Sequence, residues 1–257
     1  MADSPKIQLK PPQLNLAEKT LKKSLLQSLH HIFSLGVHGC VLAGGTALAG
    51  FYACHRRSDD LDLFTQDEKS QTATVLAIES LASLGVIFHE PYKTQQYFHT
   101  TCQLKDHRFT ITCVKDPNLF RVGKTITLKN GICIVDLHTL LKMKAATLVS
   151  RCSEKDLFDL IWLFNEFKEV AISNLIQLGN EIDAGVNGES MILSISGAIL
   201  RKEACDFSLD QKLTKETVFK KILEFQKKLI IDLHRYLESE PAPSLRKLVR
   251  KITKLAR

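Results

Sequence analysis

The chain has 257 residues, 44% of them hydrophobic, with 35 Lys+Arg against 28 Asp+Glu for a formal net charge of +7. That length can bury a sizeable core and hold two modules, and the basic balance suits an anionic partner such as a nucleotide, RNA or an acidic protein. Seven cysteines, an odd number without CxxC spacing, speak against a disulfide framework. No apolar run approaches the roughly 20 residues of a membrane span, and Met1–Lys10 is too polar for a signal peptide, so a cytoplasmic protein with reduced thiols is expected.

In chain order, residues 1–15, with Pro5, Pro11 and Pro12, read as an extended lead-in. Apolar residues at helical spacing (Leu21, Leu25, Leu29, Phe33) predict a helix over 16–35 that stops at Gly36. Cys40–Ala43 reads as a short buried strand, Gly44 and Gly45 as a sharp turn, and Thr46 as the opening of a helix. A second helix is expected over 72–84, ending near Gly85. Between Val86 and Val114 the runs VIFHE, QYFHTTCQL and RFTITCV carry β-branched and aromatic residues between turns, which predicts strands. Asp136 is placed to cap a helix over 137–150. Further helices are expected from 154 or 155 to 167, over 215–237 and over 244–255, the terminal stretch 244–257 carrying six basic residues and no acid on an amphipathic pattern. The expected fold is α/β of the α+β kind: a small mixed β-sheet flanked by helices over 16–130, then a helical module over 131–257.

Residues 42–64 carry the chemistry. A helix that starts after a glycine turn offers free N–H groups to an anion. Downstream, Asp60-Leu61-Asp62-Leu63-Phe64 alternates with period two, so both carboxylates share one strand face. Adjacent carboxylates repel unless a cation lies between them. A hard ion such as Mg²⁺, which takes one or two carboxylates plus substrate phosphates, suits this pair; zinc suits it less, because no Cys/His pair has usable spacing.

The segment resembles the first motif of the AbiEii/AbiGii-type toxins, nucleotidyltransferases of the DNA polymerase beta-like superfamily, whose pattern is roughly GGTxL followed by HRxSxDxDLF. Gly44, Gly45, Thr46, Leu48, His55, Arg56, Ser58, Asp60, Asp62, Leu63 and Phe64 occupy the matching places. A second block, DLHTLLKMKAATLVSRCSEKDLFDL over 136–160, is similar to the family's later motif through Met143, Lys144, Arg151, Lys155, Asp156 and Asp159. The resemblance implies nucleotidyl transfer from an NTP to an RNA or protein acceptor, by the toxin of a toxin–antitoxin or phage-exclusion pair with a cognate antitoxin. It implies Mg²⁺ or Mn²⁺ on Asp60 and Asp62, with Gly44, Gly45, Thr46, Arg56 and Ser58 at the nucleotide. Lys144 would be a cation reaching the phosphates, with Arg151, Lys155, Asp156 and Asp159 in support.

Enzymes of that superfamily usually add a third carboxylate from a neighbouring strand, and Arg108–Val114 holds none. Thr112 or Cys113 stands where the acid is expected, and Asp106 or Asp116 would replace it only in a different register. Two other readings follow: an NTP-binding protein with weak or no transfer activity, and a module that holds RNA or a partner through its basic C-terminal helix.

Overall fold

The computed structural model describes residues 10–167 and 170–238. These divide into two compact units, Pro11–Leu140 and Leu141 onward, with Lys10 belonging to the second. The division falls within one helix, beyond the 130/131 boundary read from the sequence.

The first unit opens with α1 (Leu14–Thr20) and α2 (Lys23–Ser34) where one helix was expected. Leu21 and Lys22 are extended, with ψ of 146° and 143°. The break lets buried Leu21 pack on Gly50, where a Cβ would come within 3.0 Å of the leucine side chain. β1 (Cys40–Ala43) runs into α3 (Gly44–Leu48), which begins two residues before the expected start and continues as a π-helical turn over Ala49–Ala53. Then come β2 (Asp60–Thr65) and α4 (Glu68–Glu79), which starts earlier than expected because the Asp67 carboxylate accepts the Ser70 N–H at 2.7 Å. A 3₁₀ turn, Ser80–Leu84, closes at Gly85, whose φ of +84° is glycine territory.

β3 (Ile87–Lys93), which continues through Pro91 beyond the expected run, β4 (Tyr97–Leu104) and β5 (His107–Lys115) follow, and α5 (Pro117–Val122), β6 (Thr125–Thr127) and β7 (Cys133–Val135) complete the unit. The seven strands form one mixed sheet in the order β3-β4-β5-β2-β1-β7-β6. β2 is central, antiparallel to β1 and parallel to β5. Alternation decides the faces: Phe98, Cys102, Leu104, Phe109, Ile111 and Cys113 are buried on the side covered by helices, and their neighbours along each strand lie half-open on the other.

α6 (Leu137–Ser150) straddles the division, and Asp136 caps it as expected, its carboxylate accepting the Thr139 N–H at 2.7 Å. The second unit continues with α7 (Glu154–Glu166), α8 (Ile172–Ile182), α9 (Gly188–Gly197) and α10 (Lys215–Leu237). Val218, Ile222, Phe225, Leu229 and Leu233 give α10 one fully buried stripe, and Phe225 meets Phe164 of α7 with ring centroids 5.7 Å apart. The basic helix expected over 244–255, and residues 1–9 of the lead-in, lie outside the described residues.

All seven cysteines are free. Burial pushes the thiols of Cys40, Cys102, Cys113 and Cys152 up to about 12, so they stay protonated and unreactive. Among the described residues no helix is long and apolar enough to cross a membrane.

Candidate active site

Asp60 and Asp62 occupy successive positions on the open face of β2, while Leu61 and Leu63 are fully buried behind them. Asp60 pairs in register with Thr110 of β5, whose hydroxyl donates to its Oδ1 at 2.6 Å. That bond fixes the direction in which the carboxylate points. Asp62 lies between Ala43 on β1 and Thr112 on β5. Both carboxylates thus project from the most internal strand of the sheet, with hydroxyl groups beside them.

The turn after β1 is shaped around these acids. Gly44 has φ of +66°, and a Cβ there would lie 2.0 Å from Asp62 Oδ2, so only glycine lets backbone and carboxylate approach this closely. Gly45 serves a different neighbour, since its Cβ would fall 2.5 Å from an Arg56 guanidinium nitrogen. Arg56 is buried, donating to the Arg57 carbonyl at 2.9 Å, so it buttresses the turn from beneath. Thr46, fully buried, donates to the Asp60 backbone carbonyl, and its oxygen lies 2.9 Å from Ser58 Oγ. The start of α3 and the start of β2 are therefore one hydrogen-bonded assembly. No side chain caps α3 at Ala43.

Replacing Gly44 by alanine is expected to destabilise the protein by about 1–3 kcal/mol through the left-handed backbone alone, and to displace Asp62. Urea unfolding of the variant beside wild type measures this; coincident curves would show that the turn relaxes at no cost.

The neighbouring strand resolves the third-acid question for this face. Thr112 stands directly opposite Asp62, whereas Cys113 points into the core. Asp116 is occupied elsewhere, accepting the Leu119 N–H at 3.0 Å as the cap of α5, and Asp106 sits in the exposed turn between β4 and β5. Among the described residues no three His, Cys, Asp or Glu gather as a metal-binding group. The face thus offers a two-carboxylate site with hard oxygen donors, and further ligands would come from phosphate oxygens, a set that fits Mg²⁺.

In the second unit, Lys144 is buried with its Nζ 2.8 Å from both Asp156 Oδ1 and Asp159 Oδ2, and both carboxylates are fully buried. Arg151 adds an Nε contact of 3.1 Å to Asp156 from a largely exposed side chain. Asp156 also accepts from the Ser153 hydroxyl at 2.6 Å and the Ser153 N–H at 3.2 Å, which makes it half of the capping box of α7. Burial would raise the Asp156 carboxyl, but the charge of Lys144 and then that of Arg151 outweigh it and hold the group well below the usual carboxylate range. Lys155, read from sequence as part of this group, is exposed.

Residues that the sequence did not single out complete the surroundings. Thr110 supports Asp60, and the alternation of RFTITCV, with Thr110 and Thr112 on one face, is the signal that could have found it. His107 joins Asp59 Oδ1 at 2.9 Å to Ser24 Oγ at 2.5 Å, tying the residue before the acid pair to α2; no local pattern announces that link.

A glycine turn opening a helix beside two same-face carboxylates on a central strand is the arrangement of a nucleotidyltransferase. The sequence model of the family described as "Nucleotidyl transferase AbiEii toxin, Type IV TA system" matches residues 28–251, and the chain belongs to that family of nucleotidyltransferase toxins. It is 32% identical over 152 residues to an uncharacterized protein of Aquifex aeolicus (strain VF5), spanning 58% of this chain and 69% of that one. Among solved structures it is similar to MenT4, a nucleotidyltransferase toxin from Mycobacterium tuberculosis H37Rv, at 14% identity and TM-score 0.49 over 95% of this chain and 97% of that one. It is also similar to JHP933 from Helicobacter pylori, at 16% identity and TM-score 0.47 over 86% and 97% respectively.

Proposed function

We propose that the chain transfers a nucleotide from an NTP to a hydroxyl of an RNA or protein acceptor, the hydroxyl oxygen losing its proton and bonding to the α-phosphorus as pyrophosphate leaves, with Asp60 and Asp62 as the metal-holding acids. The observation that supports it most is the close fit of Asp62 to the Gly44 backbone, which sets carboxylate and phosphate turn side by side. In this reading the N–H groups of Gly44, Gly45 and Thr46 receive the triphosphate, while Arg56 and Ser58 hold the turn that presents them. Bound Mg²⁺ would neutralise phosphate charge and polarise the phosphorus under attack. Thr110 keeps Asp60 aimed.

Lys144, paired with Asp156 and Asp159, enters the proposal as a cation that favours the phosphates, with Arg151 and Lys155 in support. Membership of a type IV toxin family makes a cognate antitoxin the natural partner. Incubating the protein with each α-³²P-labelled NTP, total RNA and cell protein, with Mg²⁺ or with excess chelator, tests the reading. Label should enter a macromolecule only when Mg²⁺ is present. Binding of an NTP without transfer would favour the second reading, a nucleotide-binding protein, which the threonine at the third-acid position supports.

A further inference from the structure

The open face of the sheet does not end at the acid pair. Asp62, Thr112, His99 and Tyr92 are successive register partners across β2, β5, β4 and β3, so they form one row on one face. Tyr97 adjoins the row two residues before His99 on β4. The Tyr97 and His99 rings lie nearly parallel, with an interplanar angle of 10° and centroids 6.2 Å apart, and Tyr92 meets Tyr97 at 6.2 Å and 56°. Thr112 Oγ1, 3.3 Å from His99 Nδ1, steadies the imidazole. Tyr92 is 59% exposed, and Tyr97 and His99 are half-exposed. Arg108, on the same face of β5, is exposed as well.

Resting on the nucleotidyl-transfer reading above, we infer that Tyr92, Tyr97 and His99 are a base-stacking platform that receives the unpaired end of an RNA acceptor. Direction is the first reason. Phosphoryl displacement proceeds with attacking and leaving oxygens roughly in line. The phosphate turn follows β1 on one side of β2, so the attacking hydroxyl arrives from the other side, over β5 and β4. His99 stands two strand spacings, about 10 Å, from β2 on that side.

Chemistry is the second reason. Flat rings on an open sheet, with a guanidinium on the same face, bind successive bases of any sequence by stacking and attract the backbone by charge. The chain's net charge of +7 has the matching sign.

The test measures fluorescence anisotropy of a short, unstructured, fluorescein-labelled RNA with wild type, Tyr97→Ala, His99→Ala and Tyr97→Phe, and NTP affinity of each by calorimetry. Each alanine should weaken RNA binding about tenfold or more, while Tyr97→Phe stays within about twofold and NTP affinity is unchanged throughout. Equal RNA affinity in all proteins would overturn the inference. So would loss of NTP affinity instead, which would assign the rings to the donor base, or labelling of protein acceptors by a wild type that binds no RNA. Binding requires no turnover, so these outcomes stand apart from failure of the transfer reading, which shows as absent label with RNA binding intact.

Discussion

Asp62→Asn is expected to lower nucleotidyl transfer by about a hundred- to a thousandfold, the range set by removing one preorganised electrostatic group from a reacting centre. Asparagine has nearly the same shape, so it can sit against Gly44 where the carboxylate sits, and the strand around it, with Leu61 and Leu63 fully buried, keeps its packing. What disappears is one negative charge at a site whose other carboxylate, Asp60, is held by Thr110. A divalent ion held by one carboxylate instead of two binds more weakly, so the Mg²⁺ concentration giving half-maximal rate should rise in the same variant. The measurement is initial rate of label transfer across a Mg²⁺ titration, with circular dichroism to confirm the fold. Wild-type turnover by Asp62→Asn at limiting Mg²⁺ would sink the assignment of this carboxylate.

The largest effect on stability is expected at Asp156. Truncating it to alanine leaves Lys144 with one buried carboxylate instead of two and removes half of the α7 capping box, a loss of about 3–5 kcal/mol by comparison with other broken buried pairs. A pH dependence accompanies it. The Asp156 carboxyl is depressed in the folded protein, so the unfolded chain binds its proton first as pH falls. The stabilisation is therefore complete above the ordinary carboxylate value near 3.8 and is lost as pH drops below it toward the folded value. Urea unfolding of wild type and Asp156→Asn from pH 7 down to about pH 3 should show the two curves converging in acid. Parallel curves, or a variant as stable as wild type at neutral pH, would mean that the buried trio contributes little.

What the sequence disclosed and what it withheld divide along physical lines. The two acids, their strand, the glycine turn, the Asp136 cap and α10 are visible because each rests on local rules: period-two alternation, a capping carboxylate, an apolar stripe at helical spacing. β6 and β7 were missed because strands of three residues carry no measurable period and exist only through pairing with each other and with β1. The break between α1 and α2 was hidden since Leu21 fits a helical stripe equally well; its contact with Gly50 decides the matter, and that contact is tertiary. Arg56 was placed at the nucleotide by its motif position, to buttress the loop or reach a phosphate; its contact with Gly45 is tertiary and no local pattern shows it. Lys144, Asp156 and Asp159 were named together as motif positions, but their mutual pairing was not, since the two aspartates come to the lysine from the next helix. The threonine opposite Asp62 was identifiable only as one of two residues until the strand register placed Cys113 on the other face.

The position of β2, fourth of seven strands, has a consequence for how this protein can fail. Opening of a folded chain begins where ladders are short or unpaired, and here those margins are β3 on one side and β6 on the other. Either can detach while the acids keep both neighbouring strands, since β1 and β5 hold β2 between them. The acid pair is thus housed in the part of the sheet expected to let go last, so fraying at either margin leaves its two neighbouring strands in place.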